Sequence, residues 1–264
     1  RSSDLSCYYL TKEEIGIPMD AMVDGVHSTD LGMQQYADSY QKKIREILRE
    51  DNQGPASCIP CKQQRDPYDW YGRHEEILKL NKQSAPEIVM IGNSITHFWG
   101  GEPIAHNQFG KESWEKLFKG RSVRNLGFGW DKTENVLWRI YHGELDGFQA
   151  RNIFLLIGTN NLLFNSDEEI IEGICRIAKA IHERQPQAKL CIMGILPRKG
   201  MEARIAGIDA ELQKQLAGKD CTYIDLAPQL TQKDGSIDSS LFRDGLHPNA
   251  EGYKRIAKVL KGYL

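Results

Sequence analysis

Two short stretches of this chain carry side chains able to do acyl chemistry. Ser94 closes Gly92-Asn93-Ser94, directly after the apolar run Glu87-Ile-Val-Met-Ile-Gly92. A serine hydroxyl is a weak nucleophile until a base takes its proton, and an imidazole held in one tautomer is the usual base. Asp244-Gly-Leu-His247 offers that base, with a carboxylate three residues before the histidine. On a loop, this spacing lets Asp244 hold the ring nitrogen that faces away from the serine. Pro248 stops the turn, and Asn249 is placed to cap a closing helix. Neither fragment is diagnostic alone, because Gly-x-Ser follows many strands and Asp-x-x-His is often a surface capping feature. Their chemistry depends on elements that bring them together.

The pattern from residue 85 onward supplies such elements. Strand-like runs at 87–92, 122–126, 152–157, 189–193 and 222–226 alternate with helical stretches at 113–118, 133–140, 166–182, 203–216 and 250–260. Asn152-Ile-Phe-Leu-Leu-Ile157 is apolar almost throughout, as a strand buried on both faces must be. Ser166-Asp-Glu-Glu169 has the spacing of a capping box. Strands alternating with helices predict an α/β fold, a five-stranded parallel sheet between two helical layers. In such sheets ligands bind at the carboxyl ends of the strands. Ser94, Gly127–Asp131, Gly158–Asn161 and the Asp244–His247 loop all fall at that edge.

Together and in order, these pieces resemble the SGNH/GDSL hydrolase family. Its blocks appear as Gly92-Asn93-Ser94-Ile95-Thr96, Asn125-Leu-Gly-Phe-Gly-Trp-Asp131, Gly158-Thr-Asn-Asn161 and Asp244-Gly-Leu-His-Pro248. Within the family the chain is most similar to the catalytic subunits of intracellular platelet-activating-factor acetylhydrolase. Val136-Leu-Trp-Arg139, Gly143-Glu-Leu145, Gln185-Pro-Gln-Ala-Lys189 and Leu196-Pro-Arg198 carry that likeness. The resemblance implies a flavodoxin-like three-layer sandwich and a serine esterase or acylhydrolase. In it Ser94 is the nucleophile, His247 the general base and then acid, and Asp244 its orienter. The implied oxyanion hole comprises the Ser94 backbone N–H, the Asn160 side-chain amide and the backbone N–H of Trp130. No cofactor or metal is implied. The expected substrate is a small acyl ester, acetyl foremost, of a carbohydrate or other small alcohol. A lipid acylhydrolase and a non-catalytic binding module on the same fold are the alternatives.

Two positions depart from the family pattern. Asn93 replaces an aspartate, removing a charge but keeping a hydrogen-bonding side chain of the same shape. Trp130 replaces a glycine that precedes Asp131, and a tryptophan cannot visit positive φ cheaply. The backbone there is therefore expected to be ordinary or the hole rebuilt, and the Trp130 ring could wall a short acyl pocket. His97, Trp99 and Asn161 are further pocket candidates. A helix start packed on the sheet explains Phe98 and Trp99 equally well, and Trp138 reads as core.

The rest of the sequence bounds this reading. A net charge of −2 and a pI near 6.4 argue against a broad nucleic-acid or anionic-lipid footprint. No apolar run reaches bilayer-spanning length. The sequence does not fix an oligomeric state. The chain starts at Arg1 without an initiator Met or a signal pattern, so a removed leader or a longer parent is expected, with a secreted or periplasmic setting. Of six cysteines only Cys58-Ile-Pro-Cys61 has suggestive spacing, and a loop disulfide or two ordinary thiols is expected there. The first fifty residues repeat the last block. Asp24-Gly-Val-His27 and Gly32 precede a helical run at a constant offset of 220 from Asp244, His247 and Gly252. The expected organisation is thus 1–50 as the tail of a preceding hydrolase-like domain, 51–84 as linker and lead-in, and 85–264 as the hydrolase domain.

Overall fold

The computed structural model describes residues 10–16, 29–48, 54–63 and 69–264, in two compact units, Arg1–Asp51 and Asn52–Leu264. In the first unit, α1 (Lys12–Ile15) and α2 (Asp30–Leu48) are tied by Ser39 Oγ donating to the Ile15 carbonyl at 3.1 Å and by Lys43 beside Glu14 at 3.3 Å. Asp24 and His27 lie outside the described residues.

The second unit contains α3 (Trp70–Gln83), β1 (Ile88–Gly92), α4 (Ser94–His97), α5 (Lys111–Leu117), β2 (Val123–Gly127), α6 (Thr133–Arg139), β3 (Asn152–Leu156), α7 (Asp167–Arg184), β4 (Lys189–Met193), α8 (Glu202–Leu216), β5 (Thr222–Ile224) and α9 (Ala250–Leu260). The five strands lie in the order β2-β1-β3-β4-β5, every pair parallel. Central strands β1 and β3 are buried at every residue, which is why their sequences run apolar rather than alternating. Successive side chains still face opposite layers. Val89, Ile91, Ile153 and Leu155 pack with Ile77, Val136, Ile174 and Leu212 from α3, α6, α7 and α8. Ile88, Met90, Phe154 and Leu156 pack with Ile95, Trp114 and Tyr253 from α4, α5 and α9. The capping box at Ser166 forms, its Oγ accepting from the Glu169 N–H at 3.3 Å while Glu169 Oε2 accepts from the Ser166 N–H at 3.0 Å.

The stretch expected to be linker is part of this unit. Trp70, His74, Ile77 and Asn81 share one face of α3 and are buried, and Asp69 caps the helix by accepting from the Gly72 N–H at 2.7 Å. Ser57 and Cys58 are buried as well, and Ser57 Oγ donates to the Glu169 carbonyl at 2.7 Å. Burying two large apolar side chains on α3 outweighs the punctuation of Pro55 and Pro60. Cys58 is a buried free thiol, not joined to Cys61, and burial raises its pKa. Cys191, buried in β4, is pushed up to about 11 by the same cause.

Candidate active site

Ser94 begins α4 immediately past the end of β1. The turn from strand to helix is tight enough that a Cβ on Gly92 would meet Thr96 Oγ1 at 2.2 Å and the Leu156 carbonyl oxygen at 2.5 Å, so only glycine fits there. Asn93 caps α4, its side-chain oxygen accepting from the Ile95 N–H at 2.9 Å. Asn93 is itself buried, and an uncharged amide does this work without the cost of burying a carboxylate.

The final loop brings His247 to this turn. An isolated bridge between Phe242 and Pro248 holds its base, with the Arg243 N–H donating to the His247 carbonyl at 2.9 Å. Tyr253 Oη, from α9, donates to the Ile95 carbonyl at 2.7 Å and fastens that helix to α4. His247 Nε2 thereby lies 2.8 Å from Ser94 Oγ, and its Nδ1 lies 2.7 Å from Asp244 Oδ2. The other Asp244 oxygen accepts from the His247 N–H at 2.7 Å and the Leu246 N–H at 3.0 Å. Partial burial opposes the Asp244 charge. The hydrogen bonds from the His247 backbone and ring, with the neighbouring imidazole charge, outweigh it and hold the carboxyl below its ordinary range. A carboxylate at Nδ1 fixes the tautomer whose Nε2 accepts a proton, so this relay can deprotonate a serine.

The loops after β2 and β3 form the other side. Asn125, which opens the second block within β2, donates to the Thr96 and Gly100 carbonyls at 2.8 and 2.6 Å and accepts from the Gly127 N–H at 2.8 Å. Arg73 from α3 donates to the carbonyls of Gly127, Asn125 and Pro103 at 2.9, 3.1 and 3.1 Å. Asn160 Nδ2 donates to the Asp131 carbonyl at 2.9 Å, joining the two loops.

Trp130 departs from both expectations for its backbone. Its φ is +60°, the left-handed conformation a glycine would take there, so the local geometry is kept with a tryptophan in it. Its ring is 41% exposed and lines a cleft of about 490 Å³ with His97, Phe98, Ile104, His106 and Arg73. Left-handed φ costs an L-residue about 1–2 kcal/mol. Trp130→Gly is therefore expected to leave the melting temperature within a few degrees of the parent, whereas deleting a core aromatic costs about 3–5 kcal/mol. A fall of more than about 10 °C by calorimetry would show that the ring is a core element after all.

Beneath this loop lies a buried charged cluster. Asp131, Arg139 and Glu144 are all fully buried. Arg139 Nε donates to Asp131 Oδ2 at 2.9 Å, Nη1 to Glu144 and Nη2 to the Leu126 carbonyl at 3.3 Å. Asp131 Oδ1 also accepts from Trp70 Nε1 at 2.7 Å and Gln63 Nε2 at 2.9 Å, and His74 Nδ1 lies 2.8 Å from Glu144. Burial pushes the Asp131 carboxyl up to about 7, opposed by Arg139 and the Trp70 hydrogen bond. Burial likewise opposes the Arg139 charge, but Glu144 and Asp131 overcome it and raise its pKa.

The structure thus brings Ser94, His247 and Asp244 into one hydrogen-bonded chain and sets His97 on the cleft wall. Burial, followed by the charges of Arg73 and Arg139, lowers His97 to about 3, so its ring is neutral at ordinary pH. Two other pocket candidates are not there. Trp99 packs in the core against Tyr253 and Trp114, donating to Ser113 Oγ at 2.9 Å. Asn161 is fully buried, donating to Thr133, Glu134 and Asn165. Trp138 is core, as read. Arg73, Gln63 and Trp70 belong to the segment expected to be linker, although the 70, 74, 77, 81 spacing is a helical signal. Among the described residues no group of His, Cys, Asp and Glu could hold a metal, and no helix is long and apolar enough to cross a membrane.

Comparison with known proteins gives the same architecture a lineage. A model of the GDSL-like lipase/acylhydrolase family matches residues 90–255, and a second model with that description matches residues 1–45. The alpha1 subunit of Bos taurus platelet-activating factor acetylhydrolase IB is 30% identical over 200 residues, 74% of this chain and 82% of that protein. The Rattus norvegicus alpha2 subunit is 30% identical over 196 residues, 72% of this chain and 81% of that protein. A GDSL-like lipase from Bacteroides thetaiotaomicron shares the fold with a TM-score of 0.57 at 16% identity, over 73% of this chain and 97% of its own. A carbohydrate esterase family 3 protein from Talaromyces cellulolyticus does so at 0.50 and 15%, over 67% and 94%. With sequence similarity extending through most of the compact unit that holds the serine–histidine–aspartate chain, this protein belongs to the GDSL-like lipase/acylhydrolase family and is an ester hydrolase.

Proposed function

We propose that the chain is a serine esterase that removes a small acyl group, acetyl foremost, from a hydroxylated substrate of the carbohydrate type. The observation that carries this reading is the continuous chain from Ser94 Oγ through His247 to Asp244. His247 Nε2 takes the Ser94 proton as Oγ attacks the ester carbonyl. The resulting oxyanion is met by the backbone N–H groups of Ser94 and Trp130 and by the Asn160 amide. Collapse expels the alcohol, which leaves with the proton from His247, and the acyl group stays on Ser94 Oγ. Water, deprotonated by His247, then releases the acid and restores the serine. Each oxyanion donor is worth about 10²–10³ in rate, because the charge it meets exists only in the tetrahedral intermediate.

The Trp130 ring beside His97 and Phe98 favours a short acyl group, and an exposed indole also suits stacking against a sugar ring. The relatives named as acetylhydrolases support the acetyl preference. On p-nitrophenyl esters, kcat/KM is expected to fall at least about tenfold from acetyl to octanoyl, since a pocket of fixed size discriminates by roughly 1–3 kcal/mol per misfitting group. Equal or rising activity with chain length would reject the small pocket. The lipid reading has its own observation. Ile104 on the cleft wall, and Leu163 and Phe164 on the loop after β3, are exposed, and an acyl chain or lipid surface could lie against them. Comparing an acetylated oligosaccharide with an acetylated ether phospholipid separates the two, and preference for the phospholipid would favour the lipid reading.

A further inference from the structure

The repeat of the last block extends into three dimensions. Helix α9 is capped by Asn249, whose Oδ1 accepts from the Gly252 N–H at 3.1 Å, while the Tyr253 N–H donates to the Asn249 carbonyl at 3.0 Å. At the offset of 220, α2 is capped by Thr29, whose Oγ1 accepts from the Gly32 N–H at 3.2 Å, while the Met33 N–H donates to the Thr29 carbonyl at 2.8 Å. The apolar face of α9 is Tyr253, Ile256, Ala257 and Leu260, all buried against the sheet. Their counterparts in α2 are Met33, Tyr36, Ala37 and Tyr40, followed by Ile44 in place of Leu264. In α2 three residues of that stripe are exposed, Met33 at 60%, Tyr40 at 49% and Ile44 at 51%, and Tyr36 is half-buried. Tyr36 and Tyr40 stack on each other at 6.3 Å. A helix with such a face gains its stability by packing it against another element.

We propose that the Met33–Tyr36–Tyr40–Ile44 face of α2 is the closing-helix face of a second GDSL-type domain, and that its partner is the parallel sheet of that domain, in the same polypeptide N-terminal to Arg1. Three observations select this occupant over an unrelated partner. The cap, the stripe and the Asp-Gly-x-His sequence all recur in one register. A family model matches residues 1–45 separately from 90–255. No Gly-x-Ser stands between Arg1 and Asp24, so the nucleophile block that would accompany Asp24 and His27 is not among these 264 residues. The inference does not depend on the substrate assigned to Ser94.

The test has two arms on the natural polypeptide. Its coding sequence ahead of Arg1 is expected to contain an apolar strand ending in Gly-x-Ser about 150 residues before His27, matching the 153 residues between Ser94 and His247. A reading frame that lacks these blocks would overturn the proposal. In hydrogen exchange on that polypeptide, the amides of residues 33–44 are expected to exchange at least about a hundredfold more slowly than in residues 1–264 alone. The pair Met33→Asp and Tyr40→Asp should abolish the difference. Equal exchange in the two chains, or protection in residues 1–264 that rises with concentration, would overturn it, the second result indicating a second copy of this chain as the partner.

Discussion

Replacing Ser94 by alanine is expected to lower kcat for p-nitrophenyl acetate by about 10⁴-fold or more, with KM changed only a few-fold. In the proposed mechanism the substitution removes the atom that carries the acyl group, and it leaves the cleft walls in place. His247→Ala should cost a similar factor, because an unassisted serine hydroxyl is almost wholly protonated at neutral pH. The two losses should not add. In the proposed mechanism serine and histidine act as one unit through the 2.8 Å contact between Oγ and Nε2, so the double variant should be about as slow as either single one. Losses that multiplied would mean that the two residues act in separate steps.

The largest effect outside the relay is expected at Arg139. Arg139→Met leaves Asp131 and Glu144 buried without their shared cation, an arrangement that costs about 3–5 kcal/mol. At about 2–4 °C per kcal/mol for a unit of this size, the melting temperature should drop by roughly 6–20 °C. The penalty should depend on pH with a definite sign. Burial already raises Asp131 from 3.8 to about 7 against the opposition of Arg139, and removing that cation raises it further. A carboxyl whose pKa is raised on folding gives its stabilisation below its unfolded pKa and loses it as pH rises through the folded one. The difference between parent and variant should therefore be smallest below about pH 4 and widen as pH rises through 7. A melting difference that is flat with pH, or largest in acid, would contradict the buried pair. Arg139→Lys should fall between the two proteins, since an ammonium keeps the charge but cannot bridge both carboxylates as the fork does.

The parts of the site that local pattern could reveal were those carried on regular elements. Five apolar runs separated by helical spacing gave the sheet, and chain order put Ser94, Asn160, Asp244 and His247 at its carboxyl edge. The N-terminal boundary of that unit was hidden because the buried face of its first helix has two large apolar residues, Trp70 and Ile77, beside the polar Arg73, His74 and Asn81, and the helix sits behind a proline-containing stretch. Trp99 and Asn161 illustrate a different limit. Proximity in sequence to a reactive residue does not say which way a side chain turns, and both turn inward, Trp99 to Ser113 and Asn161 to Thr133 and Glu134. Trp130 illustrates a third. Its type argued for ordinary backbone, but neighbours hold the turn: Asp131 is fixed by Arg139, Trp70 and Gln63, and Gln63 also donates to the Gly129 carbonyl at 3.0 Å. Strain at one residue persists where its surroundings over-determine it.

The central claim is covalent, so its most direct test is to find the bond. The protein should be quenched in acid during turnover of p-nitrophenyl acetate, digested and read by mass spectrometry. The account predicts one acetyl group, on the peptide containing Ser94 and absent from the Ser94→Ala variant. Acetylation confined to another residue, or undiminished hydrolysis by the Ser94→Ala variant, would contradict it.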